Sequence, residues 1–142
     1  MTRIAVIDGQ GGGIGSTVIR RIKEVFGERC EVWALGTNAI ATSQMLKAGA
    51  NRGATGEAAV CHCVGEVAAV VGPVSILVAH AMLGEVTPAM VAAVGACKAP
   101  KFLLPLTQEA LTVVGCPKEP LPHLVEALVT EHLPALIREG RP

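Results

Sequence analysis

The 142-residue chain has no tyrosine, one tryptophan and two phenylalanines. That scarcity removes the aromatic platforms on which single-strand and RNA binders stack bases. It also leaves the interior to Val, Ile, Leu and Ala, a composition suited to layered α/β cores. An excess of one charge is lacking too, since twelve basic residues balance twelve acidic ones. Beyond Arg20, Arg21 and Lys23 no basic stripe forms, so no nucleic-acid partner is expected.

Long apolar runs are also missing. The most apolar region, Ala58 to Leu83, is broken by His62, Glu66, Gly72-Pro73 and His80, unlike the roughly 20 uninterrupted apolar residues of a membrane span. Near the start, only Ile4 to Ile7 precede Asp8, too short for the apolar core of a secretory signal. A cytoplasmic protein without membrane contact is expected. The five cysteines are an odd number and point to reduced, buried thiols rather than a disulfide framework. The length suits one domain spanning 1–142, and the apolar content makes a homo-oligomer plausible.

What is present alternates strand and helix signals. Ile4 to Ile7 reads as a strand buried on both faces. Ile14, Val18, Ile22, Val25 and Phe26 then recur at helical spacing, with Gly27 as the stop. Glu31 to Leu35 reads as the next strand, and Gly36-Thr37-Asn38 as turn and N-cap for a helix through Lys47 that Gly49 closes. Gly53-Ala54-Thr55-Gly56-Glu57 reads as a flexible turn, Ala58 to Val64 as helix and Val67 to Val71 as strand. Val74 to Leu83 fits a short helix with Pro73 in its first position, or a strand over Ser75 to Ala79. Thr87-Pro88 starts a helix through about Cys97. Lys101 to Leu106 and Leu111 to Val114 lie too close together for a crossover helix and are expected to pair as a hairpin. Leu124, Leu128, Leu133 and Ile137 mark a last helix, bent or interrupted by Pro134. The predicted fold class is α/β, a three-layer, doubly wound, Rossmann-like sheet, mostly parallel, with an antiparallel edge hairpin.

The candidate site is the loop Asp8-Gly9-Gln10-Gly11-Gly12-Gly13-Ile14-Gly15, between the first strand and the first helix. In open α/β sheets, ligands bind outside the carboxyl ends of the strands. Glycines let the backbone approach a phosphate closely, and free N–H groups opening a helix attract anions. The same glycines would equally serve a turn that lets helix and strand pack closely. A Walker loop is excluded because Ser16 follows Gly15 with no lysine between them. The spacing Gly9-x-x-x-Gly13-Ile14-Gly15 is similar to the cofactor loop of short-chain dehydrogenases/reductases, which implies a pyrophosphate of NAD or NADP; FMN is a further candidate. That family's catalytic Tyr-x-x-x-Lys pair cannot be present in a chain without tyrosine. About 20 residues on, where such folds place an acid for the ribose hydroxyls, stand Gly36, Thr37 and Asn38. Thr42 and Ser43 follow and are candidates for the same ligand surface.

Taken together, Asp8 to Gly15, Ala34-Leu35-Gly36-Thr37-Asn38-Ala39, Ala41-Thr42-Ser43, Met45-Leu46-Lys47-Ala48-Gly49-Ala50, Gly53-Ala54-Thr55-Gly56-Glu57 and Ala81-Met82-Leu83-Gly84-Glu85-Val86-Thr87-Pro88 resemble a bacterial family of short proteins described only as a domain of unknown function. The resemblance implies no reaction.

Glu57, His80 and Glu85 are the candidate acids or bases, because polar groups near strand ends can face a ligand held by the glycine loop. Each also has a structural reading: a capping Glu57, a packed His80 and a solvated Glu85. Cys61-His62-Cys63 contains zinc-ligand types, but adjacent residues rarely serve one ion and no CxxC spacing supports them, so no metal is expected. Three functions follow: a nucleotide-binding protein, an enzyme acting on a small phosphorylated metabolite, or a structural interaction subunit.

Overall fold

The computed structural model describes residues 1–138. Five parallel strands form one sheet in the order β3-β2-β1-β4-β5. They are β1 (Thr2–Asp8), β2 (Cys30–Gly36), β3 (Arg52–Thr55), β4 (Ala69–Pro73) and β5 (Lys101–Leu104). The helices are α1 (Gly13–Phe26), α2 (Ala39–Lys47), α3 (Glu57–Cys63), α4 (Pro88–Ala96), α5 (Leu121–Ala127) and α6 (Leu133–Arg138). Strand residues alternate between two apolar layers. Ile4, Val6, Val32 and Ala34 pack with α1, α2 and the C-terminal helices, through residues such as Ile19, Met45 and Leu133. Ala5, Ile7, Leu35 and Val70 pack on the other face with Val60 of α3 and Met90 and Val94 of α4. The result is the three-layer, doubly wound arrangement, with β1 buried on both faces.

Local signals placed several ends correctly. Asn38 caps α2 by accepting the Ala41 N–H at 2.8 Å, and Thr87 caps α4 ahead of Pro88. Gly27 closes α1 at a positive φ of 54°.

Three expectations are corrected. The antiparallel hairpin does not form: β5 pairs in parallel with β4, and all ladders are parallel. Beyond Leu104, Pro105 and the bond from Leu106 N–H to the Leu104 carbonyl turn the chain away, and Leu111–Val114 lies exposed with no strand partner. Gly53-Ala54-Thr55 is not a flexible turn but part of edge strand β3, because β2 supplies a ladder from Trp33 to Gly36 that composition does not reveal. Pro73 ends β4 instead of opening a helix, and Val74–Leu83 is neither of the expected elements but one 3-10 turn, Val74–Leu77, followed by tight turns. The last helix is interrupted as Pro134 suggests: Leu128–His132 widens into a π turn, with the Leu133 N–H bonded to the Leu128 carbonyl. No helix among the described residues is long and apolar enough to cross a membrane.

Candidate functional site

The carboxyl ends of β1, β4 and β5 border a cleft of about 500 Å³. It lies where the strand order reverses, because the chain proceeds from β1 to β2 on one side and later returns to β4 on the other. Asp8 and Ile14 line the cleft from one side, Met82 and Leu83 from another, and the segment Leu106–Glu109 from a third. No Lys, Arg or His lines it among the described residues.

Asp8 ends β1 and is 3% exposed. Its carboxylate accepts the Gly9 N–H at 2.8 Å and the Gly15 N–H at 2.7 Å. The chain's own carboxylate thus occupies part of the helix N-terminus that sequence reasoning reserved for a ligand. Burial raises the Asp8 pKa above its ordinary value. The N–H donors of Gly15, Gly9 and Ile14 oppose that shift, and the charge of Glu85 adds to it.

The glycines divide by purpose. A Cβ on Gly9 would lie 2.6 Å from Met82 Sδ and 2.8 Å from Glu85 Oε1. On Gly15 it would meet the Met45 and Asp8 side chains, and on Gly36 the Asn38 carbonyl at 2.7 Å. Gly12 has φ +72° and faces the Ala41 carbonyl at 2.9 Å. These four serve close packing. Gly11 and Gly13 instead open onto free space, with nothing within 4 Å of a Cβ at either position, and neither N–H has a partner among the described residues. They are the part of the loop that faces open space with free backbone donors.

Glu85 does not line the cleft itself, but the fold brings it against the glycine loop and the β2 turn beside it. Its Oε1 accepts the Gln10 N–H at 2.8 Å, the Thr37 hydroxyl at 2.6 Å and the Asn38 amide at 2.9 Å. Asn38 Nδ2 also donates to the Gln10 carbonyl at 2.9 Å, so glycine loop, β2 turn and Glu85 form one connected unit. All three bonds fall on Oε1, and Oε2 has no hydrogen-bond partner among the described residues. Burial raises the Glu85 pKa, but the donors from Gln10, Thr37 and Asn38 outweigh it and hold the carboxyl below its ordinary value. The carboxylate at the end of β2 therefore comes from 48 residues beyond Thr37.

The other candidates fall elsewhere. Thr42 is buried, bonded to the Asn38 carbonyl and to Thr55, and so knits α2 to β3; Ser43 is exposed. Glu57 accepts from Thr87 at 2.6 Å, linking α3 to the α4 cap, and exposed His80 does not line the cleft. Among the described residues no group of three His, Cys, Asp or Glu side chains is placed to share an ion; Cys61 bonds the Ala89 carbonyl.

Sequence reasoning missed Glu109, whose carboxylate accepts the Met82 N–H at 2.8 Å, and buried Ser75 on the cleft wall. The only local hint of the first was the turn-rich segment around it. His80, Met82 and Leu83 all adopt positive φ, a concentration of backbone strain that tends to accompany binding loops.

A parallel sheet in this order, with a glycine loop and a cleft at its switch point, defines a Rossmann-like α/β protein. The chain belongs to the family described as "Domain of unknown function (DUF3842)", which it matches over residues 3–136. No curated protein and no solved structure matches it.

Proposed function

We propose that the protein binds a nucleotide across the switch-point cleft, with NAD preferred over NADP and FMN. The observation that supports this reading is Glu85: its free Oε2 stands at the end of β2, where dinucleotide folds hold the ribose hydroxyls on an acid. A 2′-phosphate there would meet like charge. The diphosphate would be held by the unpartnered N–H groups of Gly11 and Gly13, which backbone without Cβ lets it approach. The rest of the ligand would enter the cleft beside Met82 and Leu106. The Asp8 carboxylate and the lack of a basic side chain weaken the hold on phosphate, so selectivity rests on the ribose. The protein's own contribution is binding and orientation, and no reaction is assigned.

The test is a thermal-shift titration with NAD, NADP and FMN. NAD is expected to stabilise in proportion to the logarithm of its concentration above Kd, NADP and FMN less. Gly13→Val, whose Cβ meets nothing within 4 Å, should fold and lose the response. Glu85→Gln should weaken NAD by about 10- to 100-fold, the worth of hydrogen bonds to a charged group, and narrow the gap to NADP. No stabilisation by any of the three, or unchanged affinity in both variants, would remove this reading.

A further inference from the structure

A second cavity, of about 330 Å³, lies against β2 and β3 and shares no lining residue with the cleft. Its walls are Trp33, Leu35, Arg52, Ala54, His62 and Cys63. It exists because β3 is short and places only small Ala54 beside Leu35 in the ladder, while α3 ends at Cys63. The space that a longer helix or a larger side chain would fill stays open beside the indole.

Of the charged groups near this space, only Arg52 lines it, and no carboxylate does. Arg52 pairs with Trp33 in the β2–β3 register, and its guanidinium carbon lies 5.8 Å from the Trp33 ring centre. Among the described residues no carboxylate forms an ion pair with it; the ion pairs there belong to Arg21. Arg3 lies 5.2 Å from the same ring and donates to the Glu66 carbonyl, while Glu31 holds the indole N–H. Neither acid lines the cavity. Burial pushes the Cys63 thiol up, Glu66 adds to the shift and Arg52 opposes it, so Cys63 offers an uncharged wall. A guanidinium stacked near an indole keeps its edge donors available for an oxyanion, which is the geometry in which Arg is most effective.

We propose that this cavity is a second binding site, for a small organic oxyanion whose carboxylate or phosphate meets Arg52 and His62 and whose apolar body rests against Trp33 and Ala54. The site is independent of nucleotide binding in the cleft. Its volume falls within the range of small-molecule pockets.

Trp33 is the sole tryptophan in a chain without tyrosine, so the intrinsic fluorescence of the intact protein comes from a wall of this cavity. The experiment titrates benzoate, phenyl phosphate and uncharged benzyl alcohol while following Trp33 emission. A saturable change is expected with benzoate or phenyl phosphate, and the comparison of the two tells which oxyanion fits better. Arg52 is exposed, so Arg52→Ala should keep the fold, checked by circular dichroism, and weaken the response about 10-fold or more. Gly13→Val, which alters the glycine loop, should leave it unchanged. The proposal fails if no probe gives saturation, if benzyl alcohol matches the anions, or if Arg52→Ala responds like the parent protein.

Discussion

Asp8 and Glu85 give the glycine loop an acidic character that its composition conceals. The glycines around them divide into those packed against neighbours and those facing open space, which stability measurements can check. Gly12→Ala places a Cβ at φ +72° and 2.9 Å from the Ala41 carbonyl, and should cost about 1–3 kcal/mol by denaturant midpoint. Gly11→Ala meets nothing and should be neutral or stabilising by up to about 1 kcal/mol, because it restricts only the unfolded chain. Equal effects at the two positions would contradict the division. The carboxylates also predict opposite pH behaviour. Burial raises the Asp8 pKa above 3.8, so the stability linked to its protonated form is full below the ordinary value and is lost as pH rises through the raised one. Glu85 lies below its ordinary 4.5, against its own burial and because of its three donors. Its contribution is present above the ordinary value and lost as pH falls through the lowered one. Protonating Asp8 removes a negative charge beside the loop, so nucleotide affinity should rise as pH falls through the raised Asp8 pKa. Calorimetric titration across that window should show the rise in the parent protein and a flattened profile in Asp8→Asn; affinity that increases with pH would contradict it.

At the scale of elements, the π turn at Leu128–His132 shows how the chain accommodates Pro134. Proline lacks the N–H that would bond to Thr130 and crowds that carbonyl, and the preceding turn widens so that Leu133 bonds Leu128 instead. Pro134→Ala should therefore stabilise by about 1–3 kcal/mol, read from chemical unfolding. A loss of stability would show that the packing of Leu133 and Leu136 depends on the widened turn. The element containing His80, Met82 and Leu83 is held differently. Three non-glycine residues keep positive φ because His80 N–H bonds the Val86 carbonyl at 2.7 Å, Met82 N–H bonds Glu109, and Glu85 is fastened to Thr37. Periodicity could not assign this stretch because its conformation depends on partners far along the chain. The same holds for β3, whose Gly53 and Thr55 look like turn residues until β2 supplies its ladder.

For the molecule as a whole, the sequence by itself determined the buried strand at Ile4 to Ile7, the glycine loop after it, the amphipathic α1, the caps at Asn38 and Thr87 and the α/β class. These are carried by neighbours within a few residues, where dihedral preference, capping and hydrophobic period act directly. Part of the candidate site was legible for the same reason: Asp8, Gly11, Gly13, Thr37 and Asn38 lie in loops marked by glycine and capping chemistry. Only the tertiary structure decided that every ladder is parallel. It also decided that Leu111–Val114 stays outside the sheet, and that Trp33, Arg52 and His62 border one cavity. Above all it placed Glu85 at the end of β2, beside Gln10 and Asn38. Contacts across such separations have no local signature, since they arise when apolar layers on both faces of the sheet bring distant loops to one edge.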